Sequence, residues 1–271
     1  MIEKTISILG CGWLGLPLAK AFVQSGFQVK GSSTTPAKLN LLENAGIQPY
    51  LIDLKQDLNN ELVQEFMQYS DWLIVAVPPK IRSGEGEKYP EMLLNFLSYL
   101  EKNRPVKAIF ISSTSVYSDL NKVVTEADLP TNLDDNFMLQ AEKVMQDFFA
   151  GRVTILRFAG LMGPGREPGK FLAGKTNVAN GQAPVNMIHL VDCIAIITEI
   201  IKQNCLGQFF NACADEHPTR QAFFTKAALN SGLIPPVFSD EPTTGFKIIS
   251  NEKLKQTLSY SFIHPDPLKL V

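Results

Sequence analysis

Three glycines near the start of the chain have the spacing G-x-G-x-x-G, at Gly10, Gly12 and Gly15. They follow a short apolar run and open a helical pattern, the strand–turn–helix setting in which this spacing binds a pyrophosphate. The first glycine permits a tight turn, the second lets the backbone approach the phosphates, and the third allows close helix-on-strand contact. Unpaired N–H groups and the positive end of the helix dipole, near Trp13 and Leu14, would face the anion. The spacing therefore predicts a dinucleotide site, and the alternative is a glycine-rich turn without a ligand.

The end of the second predicted strand indicates which dinucleotide binds. An Asp or Glu there would hold the ribose 2′-hydroxyl of NAD, but residues 31–38 read GSSTTPAK and contain no acid. Hydroxyls and a lysine suit a 2′-phosphate better, so the sequence favours NADP over NAD. Alternatively, this stretch only turns the chain, with Thr35 capping a helix that begins at Pro36. The predicted cofactor contacts here are Ser32, Ser33, Thr34 and Lys38.

Two further strand ends offer cofactor contacts. Asp53 ends the third strand and could accept a hydrogen bond from the adenine amino group, or it could cap a turn. Val77 ends the fourth predicted strand and is a further cofactor candidate, and Pro78 and Pro79 follow it and would form the pocket floor. Ligands of open parallel sheets bind outside the carboxyl ends of the strands, which is where all these residues lie.

A second group of motifs begins where the fifth strand ends in a hydroxyl cluster. The segments are SSTSVY at 112–117, LRFAG at 156–160, GPGR at 163–166, NMIHLVD at 186–192, and SNEKL at 250–254 with YSF at 260–262. In this order they resemble the extended short-chain dehydrogenases/reductases of the NAD-dependent epimerase/dehydratase superfamily, over nearly the full chain. The resemblance implies that Ser113 polarises a substrate carbonyl or alkoxide.

The chain departs from that superfamily at the catalytic base. No tyrosine is followed four residues later by lysine, and Asp134 and Met138 stand where the superfamily has Tyr and Lys. The chain is therefore similar to the atypical YeeZ-like group, which keeps the cofactor fold and lacks the usual relay. Its glycine turn also resembles that of 3-hydroxyacid and 6-phosphogluconate dehydrogenases, whose second domain is helical.

Other side chains near these motifs are candidates for substrate contact. Tyr117 could replace the missing phenol as proton donor, or it could line the pocket wall. Arg157 and Arg166 could each bind a phosphate or carboxylate through a bidentate fork. His189 could contact substrate or act as a base, although its apolar neighbours also fit a structural histidine. Asp192 is predicted to cap the following helix.

Short apolar runs alternate with helical periods through the first two-thirds of the chain, which predicts βαβ units and a parallel sheet. The predicted strands are Thr5–Leu9, Gln28–Gly31, Gln48–Ile52, Trp72–Val77, Lys107–Ile111, Thr154–Arg157 and Gln208–Asn211. The predicted helices include Leu14–Gln24, Pro36–Asn44, Leu62–Met67, Glu91–Glu101, Gln140–Phe149 and Cys193–Gln203. The fold class is α/β: a Rossmann-type, doubly wound parallel sheet (1–155) with a small C-terminal substrate lobe (156–271) that shares segments with it.

Composition limits the classes of function. The 271 residues carry 25 Lys and Arg against 27 Asp and Glu, a net charge of −2, so no basic excess indicates nucleic-acid binding. Apolar runs of about five residues fall far short of the ~20 that span a bilayer. The four cysteines match no zinc-ligand spacing and are interpreted as reduced, with Cys11 as a packing residue. These features indicate a cytoplasmic protein without metal, nucleic-acid or membrane partners.

Together these patterns favour an NAD(P)-binding, epimerase/dehydratase-like oxidoreductase acting on a polar small molecule such as a nucleotide sugar. The intact substrate-lobe motifs and Ser113 favour an enzyme. The missing relay favours the alternative, a non-catalytic dinucleotide-binding sensor or scaffold. A dehydrogenase of the 3-hydroxyacid or 6-phosphogluconate type is a lesser alternative.

Overall fold

The strands follow the apolar runs of the sequence. The computed structural model describes residues 4–79, 86–100, 105–128 and 136–271. Its strands are β1 (Thr5–Leu9), β2 (Gln28–Ser33), β3 (Gln48–Leu51), β4 (Trp72–Val75), β5 (Lys107–Ser113), β6 (Lys122–Val124), β7 (Val153–Phe158), β8 (Gly160–Met162), β9 (Met187–His189), β10 (Phe209–Ala212) and β11 (Lys247–Ile249). All seven predicted strands are present, each with ends within two residues of the prediction.

Seven strands of the described ranges form one sheet, in the order β10-β7-β5-β4-β1-β2-β3. β1 pairs in parallel with β2 and β4, β2 with β3, and β4 with β5. The chain runs outward from β1 through β2 to β3 and then crosses to β4 on the other side of β1, so the β1/β4 boundary is the topological switch point where such folds bind ligands. β1 and β4 are buried along their whole length, as expected of strands covered on both faces. The predicted Rossmann-type α/β class is confirmed.

The helices also follow the predicted periods. They are α1 (Gly15–Gln24), α2 (Leu39–Glu43), α3 (Asn60–Met67), α4 (Tyr89–Ser98), α5 (Phe137–Phe149), α6 (Gly169–Leu172), α7 (Leu190–Lys202), α8 (Arg220–Asn230) and α9 (Glu252–Leu258). The helix predicted over 36–44 is divided into a 3₁₀ turn, Pro36–Lys38, and α2. Thr35 is the N-cap residue there, but its side chain makes no capping bond. No helix of the described ranges is long and apolar enough to cross a bilayer.

Asp192 does not cap a helix, so that prediction is wrong. α7 begins three residues earlier than predicted, and the ring of His189 caps it by accepting a hydrogen bond from the Val191 N–H. Asp192 lies in the first turn and is fully buried. Its carboxylate accepts hydrogen bonds from the Tyr260 hydroxyl at 2.7 Å and from the N–H groups of Ile263 and His264 at 2.7 and 3.1 Å. This side chain therefore holds the 260–264 segment.

The chain divides into two compact units. Unit 1 comprises 1–112, 131–156 and 204–209, and unit 2 comprises 113–130, 157–203 and 210–271. Unit 1 has an aromatic core in which Phe66 packs edge-on against Tyr50 and Phe96. Unit 2 contains the parallel pairs β8–β9 and β6–β11, so it is not the helical second domain of the 3-hydroxyacid-type dehydrogenases. The core of unit 2 includes Met162, Val185, Met187, Phe223 and Phe224.

Candidate functional site

The three glycines of the turn between β1 and α1 meet different surroundings. Gly10 has φ +100°, and a Cβ there would lie 2.9 Å from a methyl group of Val77. A Cβ on Gly15 would lie 2.1 Å from the carbonyl oxygen of Gly10, because the helix passes directly over the strand end. A Cβ on Gly12 would meet no atom of the described residues within 4 Å, its chain neighbours aside. The fold therefore requires glycine at the first and third positions, while the middle one leaves open space beside the turn.

The end of β2 holds the glycine turn in place. The Gly10 N–H donates to Ser32 Oγ at 2.8 Å, and the Cys11 N–H donates to the Ser32 carbonyl at 2.7 Å. Gly31 leaves room for Cys11, since a Cβ there would lie 2.6 Å from its sulfur. Burial raises the pKa of the Cys11 thiol to about 12. Cys11 is thus a neutral packing group within the turn.

The start of α1 is suited to an anion. Among the described residues no side chain caps this helix, and its first turn carries no acid. Backbone N–H groups at a helix N-terminus and the positive end of the helix dipole together attract phosphate groups. The open space beside Gly12 adjoins this end of the helix, so the turn can receive a pyrophosphate.

A cleft of about 160 Å³ lies in unit 1 where β1, β2, β3 and β4 end. Nine of the twelve predicted cofactor residues line it: Gly10, Gly12, Ser32, Ser33, Thr34, Lys38, Asp53, Val77 and Pro78. Trp13, Leu14 and Gly15 belong to the turn and helix start beside it. Nine other residues line the cleft. Pro79 was expected at the pocket floor, Cys11 and Thr35 were interpreted as a packing and a capping residue, and sequence reasoning missed Ile52, Leu54, Lys55, Ala76, Tyr89 and Met92. The sequence signal for most of them is their place at the ends of β3 and β4.

Several polar groups of the cleft are already engaged. The Asp53 carboxylate accepts the Lys55 N–H at 3.1 Å, and Ser33 Oγ accepts the Thr35 N–H at 3.1 Å. The Tyr89 hydroxyl donates to the Val77 carbonyl at 2.7 Å, and burial raises the pKa of this phenol. These bonds hold in place a cleft that is lined by apolar side chains together with Lys38, Asp53 and Lys55.

Two neighbouring serines at the end of β5 make different contacts. Ser112 is buried, and its hydroxyl donates to Glu142 Oε1 at 2.5 Å. Ser113, the predicted substrate-polarising residue, is half-buried and accepts the Ser115 N–H at 3.1 Å, which caps a short 3₁₀ turn over Thr114–Val116. The Ser113 hydroxyl accepts this bond through its oxygen, so its hydrogen can be donated elsewhere.

Tyr117 and Arg157 form a buried pair within unit 2. They are 3% and 4% exposed, and the Arg157 Nη1 donates to the Tyr117 phenol oxygen at 2.6 Å. The phenol in turn donates to Asn211 Oδ1 at 2.9 Å. Burial raises the pKa of Tyr117, with Arg157 acting in the opposite direction. A role as proton donor would require Tyr117 to exchange its bond to Asn211 for one to substrate.

The other two predicted substrate residues, His189 and Arg166, differ in their surroundings. His189 Nδ1 accepts the Val191 N–H, and its ring packs edge-on against His264 with centroids 4.4 Å apart. Burial, and then the neighbouring His264, lower the pKa of His189. This ring lines a second cavity of about 460 Å³ within unit 2. Arg166 is exposed in the turn after β8 and does not line that cavity.

Of the two residues that stand in place of the Tyr–Lys relay, the structure describes Met138. Met138, where the superfamily has its lysine, is a buried residue of α5 at 4% exposure. Asp134 lies outside the described residues. In those residues no three His, Cys, Asp or Glu side chains gather into a group that could hold a metal ion.

The fold, the glycine turn and the cleft define an NAD(P)-binding Rossmann fold of the epimerase type. Residues 5–84 match the model of the family described as NADP oxidoreductase, coenzyme F420-dependent. Protein YeeZ of Escherichia coli K12 is 35% identical over 98% of both chains. The chain therefore belongs to the YeeZ family.

Solved structures of epimerases share this fold. A Methylobacillus flagellatus protein of the NAD-dependent epimerase/dehydratase type is 25% identical, with a TM-score of 0.75 over 99% of this chain and 96% of its own. The UDP-glucuronic acid 4-epimerase of Bacillus cereus, in complex with NAD, is 20% identical, with a TM-score of 0.78 over 98% and 95%. The second likeness concerns the fold alone.

Proposed function

We propose that the protein binds NADP(H) in preference to NAD(H) and acts as an epimerase/dehydratase-like oxidoreductase on a polar small molecule, such as a nucleotide sugar. The observation that carries the proposal is the open position at Gly12, which faces a cleft between strand ends rather than the protein core. When bound, the dinucleotide supplies hydride transfer. The chain's own residues would bind and orient the dinucleotide and polarise the substrate.

Within the cleft each part of the cofactor has a partner of suitable chemistry. Gly12 and the start of α1 would contact the pyrophosphate. The apolar side chains of Ile52, Leu54 and Val77 would enclose the adenine. No acid lies at the end of β2, where NAD-binding folds hold the ribose 2′-hydroxyl. This absence and Lys38 support the preference for NADP(H).

On the substrate side, Ser113 would donate its hydroxyl hydrogen to a carbonyl or alkoxide oxygen of the substrate. A carboxylate or phosphate group of the substrate would pair with Arg166, which is exposed. Arg157 is buried and donates a hydrogen bond to the Tyr117 phenol, so a substrate anion would have to enter a buried region to contact it. Among the predicted arginines, Arg166 is the better candidate for first contact with a substrate because it is exposed, whereas Arg157 is buried.

A second candidate function is a dinucleotide sensor or scaffold without turnover. The observation that favours it is Met138, an uncharged and buried side chain at the place of the relay lysine. A general acid–base pair contributes roughly 10²–10⁴-fold in rate. Ordinary superfamily substrates should accordingly turn over slowly or not at all if nothing replaces the pair.

Calorimetric titration with NADPH and NADH in one buffer tests the cofactor assignment. We expect at least tenfold tighter binding of NADPH, which corresponds to about 1.4 kcal/mol. A tenfold preference for NADH would contradict the NADP assignment, and no binding of either would contradict the function. Incubation of the loaded protein with nucleotide sugars then separates the candidates. Product formation supports the enzyme, while tight binding without product supports the sensor.

A further inference from the structure

Lys55 lines the nucleotide cleft, although no motif in the sequence marks it. We propose that Lys55 and Lys38 together bind the 2′-phosphate of NADP(H), and that Lys55 is a determinant of the cofactor preference. The inference rests on the proposed function, because it presupposes that the cleft holds a dinucleotide. Lys55 follows β3, whereas the glycine motif follows β1, so the inference adds a cofactor contact at another strand end.

Sheet pairing makes the two segments that carry the lysines neighbours where they leave the sheet. β2 and β3 are neighbours in parallel register, with Ser33 opposite Leu51. The Ile52 N–H donates to the Ser33 carbonyl at 3.1 Å, so the two chains leave the sheet side by side. Neighbouring strands lie about 4.8 Å apart. The segments that follow, with Lys38 on one and Lys55 on the other, both line the cleft.

Charge in the cleft favours a phosphate at this edge. Among the described residues that line the cleft, the lysines, arginines and acids are Lys38, Lys55 and Asp53. The Asp53 carboxylate accepts the backbone N–H of Lys55, and the Gln56 N–H bonds to the Asp53 carbonyl, so this acid is tied into its own turn. Lys38 and Lys55 thus place two basic side chains and one acid at the cleft, a balance that suits a phosphate monoester with close to two negative charges at pH 7.

The serine hydroxyls at the end of β2 contribute less to this recognition than the sequence suggests. Ser32 is 2% exposed and accepts the Gly10 N–H, while Ser33 accepts the Thr35 N–H. The Ser33 hydroxyl also donates to the Thr35 carbonyl at 3.4 Å, and both serines are less than a tenth exposed, so neither hydroxyl is readily available to a ligand. Discrimination between a 2′-phosphate and a 2′-hydroxyl must come mainly from charge, and the lysines supply it.

The test compares Lys55→Met and Lys38→Met with Lys20→Met. Lys20 is exposed on α1 and does not line the cleft, so it is the matched control. Each protein is titrated with NADPH and NADH at one ionic strength, and its thermal midpoint is measured to confirm folding. We expect Lys55→Met to weaken NADPH binding about tenfold and NADH binding less than twofold. The control should match the wild type with both cofactors.

Three results would overturn the role of Lys55. Equal weakening of both cofactors would place the lysine on a part of the molecule that they share. Unchanged NADPH binding would remove it from recognition, and a wild-type preference for NADH would remove the phosphate from this edge. After either of the first two results the proposed function stands, because the wild type still prefers NADPH. The third result would also contradict the NADP(H) preference of the proposed function, while leaving dinucleotide binding itself intact. Failure of the wild type to bind either cofactor would instead overturn the proposed function, and the inference with it.

Discussion

Replacing Gly12 by valine should abolish dinucleotide binding and leave the fold intact. A Cβ at this position would meet no atom of the described residues within 4 Å, its chain neighbours aside, and the φ of Gly12 lies outside the left-handed region. The free energy of unfolding should therefore change by no more than about 0.5 kcal/mol, as for ordinary surface substitutions. The branched side chain would occupy the space in which the pyrophosphate approaches the turn. We expect affinity for NADPH to fall at least 100-fold, or about 2.8 kcal/mol.

The matched contrast is Gly15→Ala, which adds one carbon in the same turn. That carbon would lie 2.1 Å from the Gly10 carbonyl oxygen, a backbone atom that cannot move aside cheaply. Overpacking of this kind typically costs about 1–3 kcal/mol. The alanine variant should therefore lose stability in urea denaturation, where the Gly12 variant does not.

Calorimetry measures the NADPH affinity of the wild type and both variants, and urea denaturation measures their free energies of unfolding. Wild-type affinity in Gly12→Val would show that no phosphate approaches the turn. A loss of stability as large as that of Gly15→Ala would show that Gly12 serves the fold, and would refute the distinction drawn between the glycines.

Three more outcomes are expected. Ser32→Ala should lower the free energy of unfolding by about 1–3 kcal/mol, because the Gly10 N–H loses its acceptor; a change below about 0.5 kcal/mol in urea denaturation would contradict this. Cys11, whose pKa burial raises to about 12, should resist iodoacetamide at pH 8 until the protein unfolds, and rapid alkylation of the native protein in mass spectrometry would argue otherwise. If turnover exists, Ser113→Ala should remove it without weakening NADPH binding, whereas fast turnover that survives both Ser113→Ala and Tyr117→Phe would move the active site elsewhere.

The sheet could be predicted because its strands are short apolar runs between turn signals. Strand ends agreed to within two residues, and the glycine turn correctly marked the first βα connection. The start of α7 could not be placed, because β9 and the first turn of the helix form one apolar stretch through His189. Periodicity does not separate a strand from a helix in such a run. Because α7 was predicted to begin at Cys193, Asp192 was interpreted as its N-cap residue.

Site residues that belong to a sequence motif could be predicted. Residues that only the folded chain brings to the cleft could not. The glycine motif and the strand ends point to most of the cleft. Lys55 reaches it through the pairing of β2 with β3, and Tyr89 through the start of α4, neither of which a motif records. Which side chain accepts the Gly10 N–H is likewise decided by the folded geometry. Sequence reasoning therefore assigned to phosphate binding a serine, Ser32, that also supports the turn.

A crystal structure of the protein grown with NADPH tests the central claim most directly. We expect the pyrophosphate against Gly12, the adenine among Ile52, Leu54 and Val77, and the 2′-phosphate beside Lys38. Cofactor bound away from the glycine turn, for instance in the second cavity lined by His189, would contradict the claim.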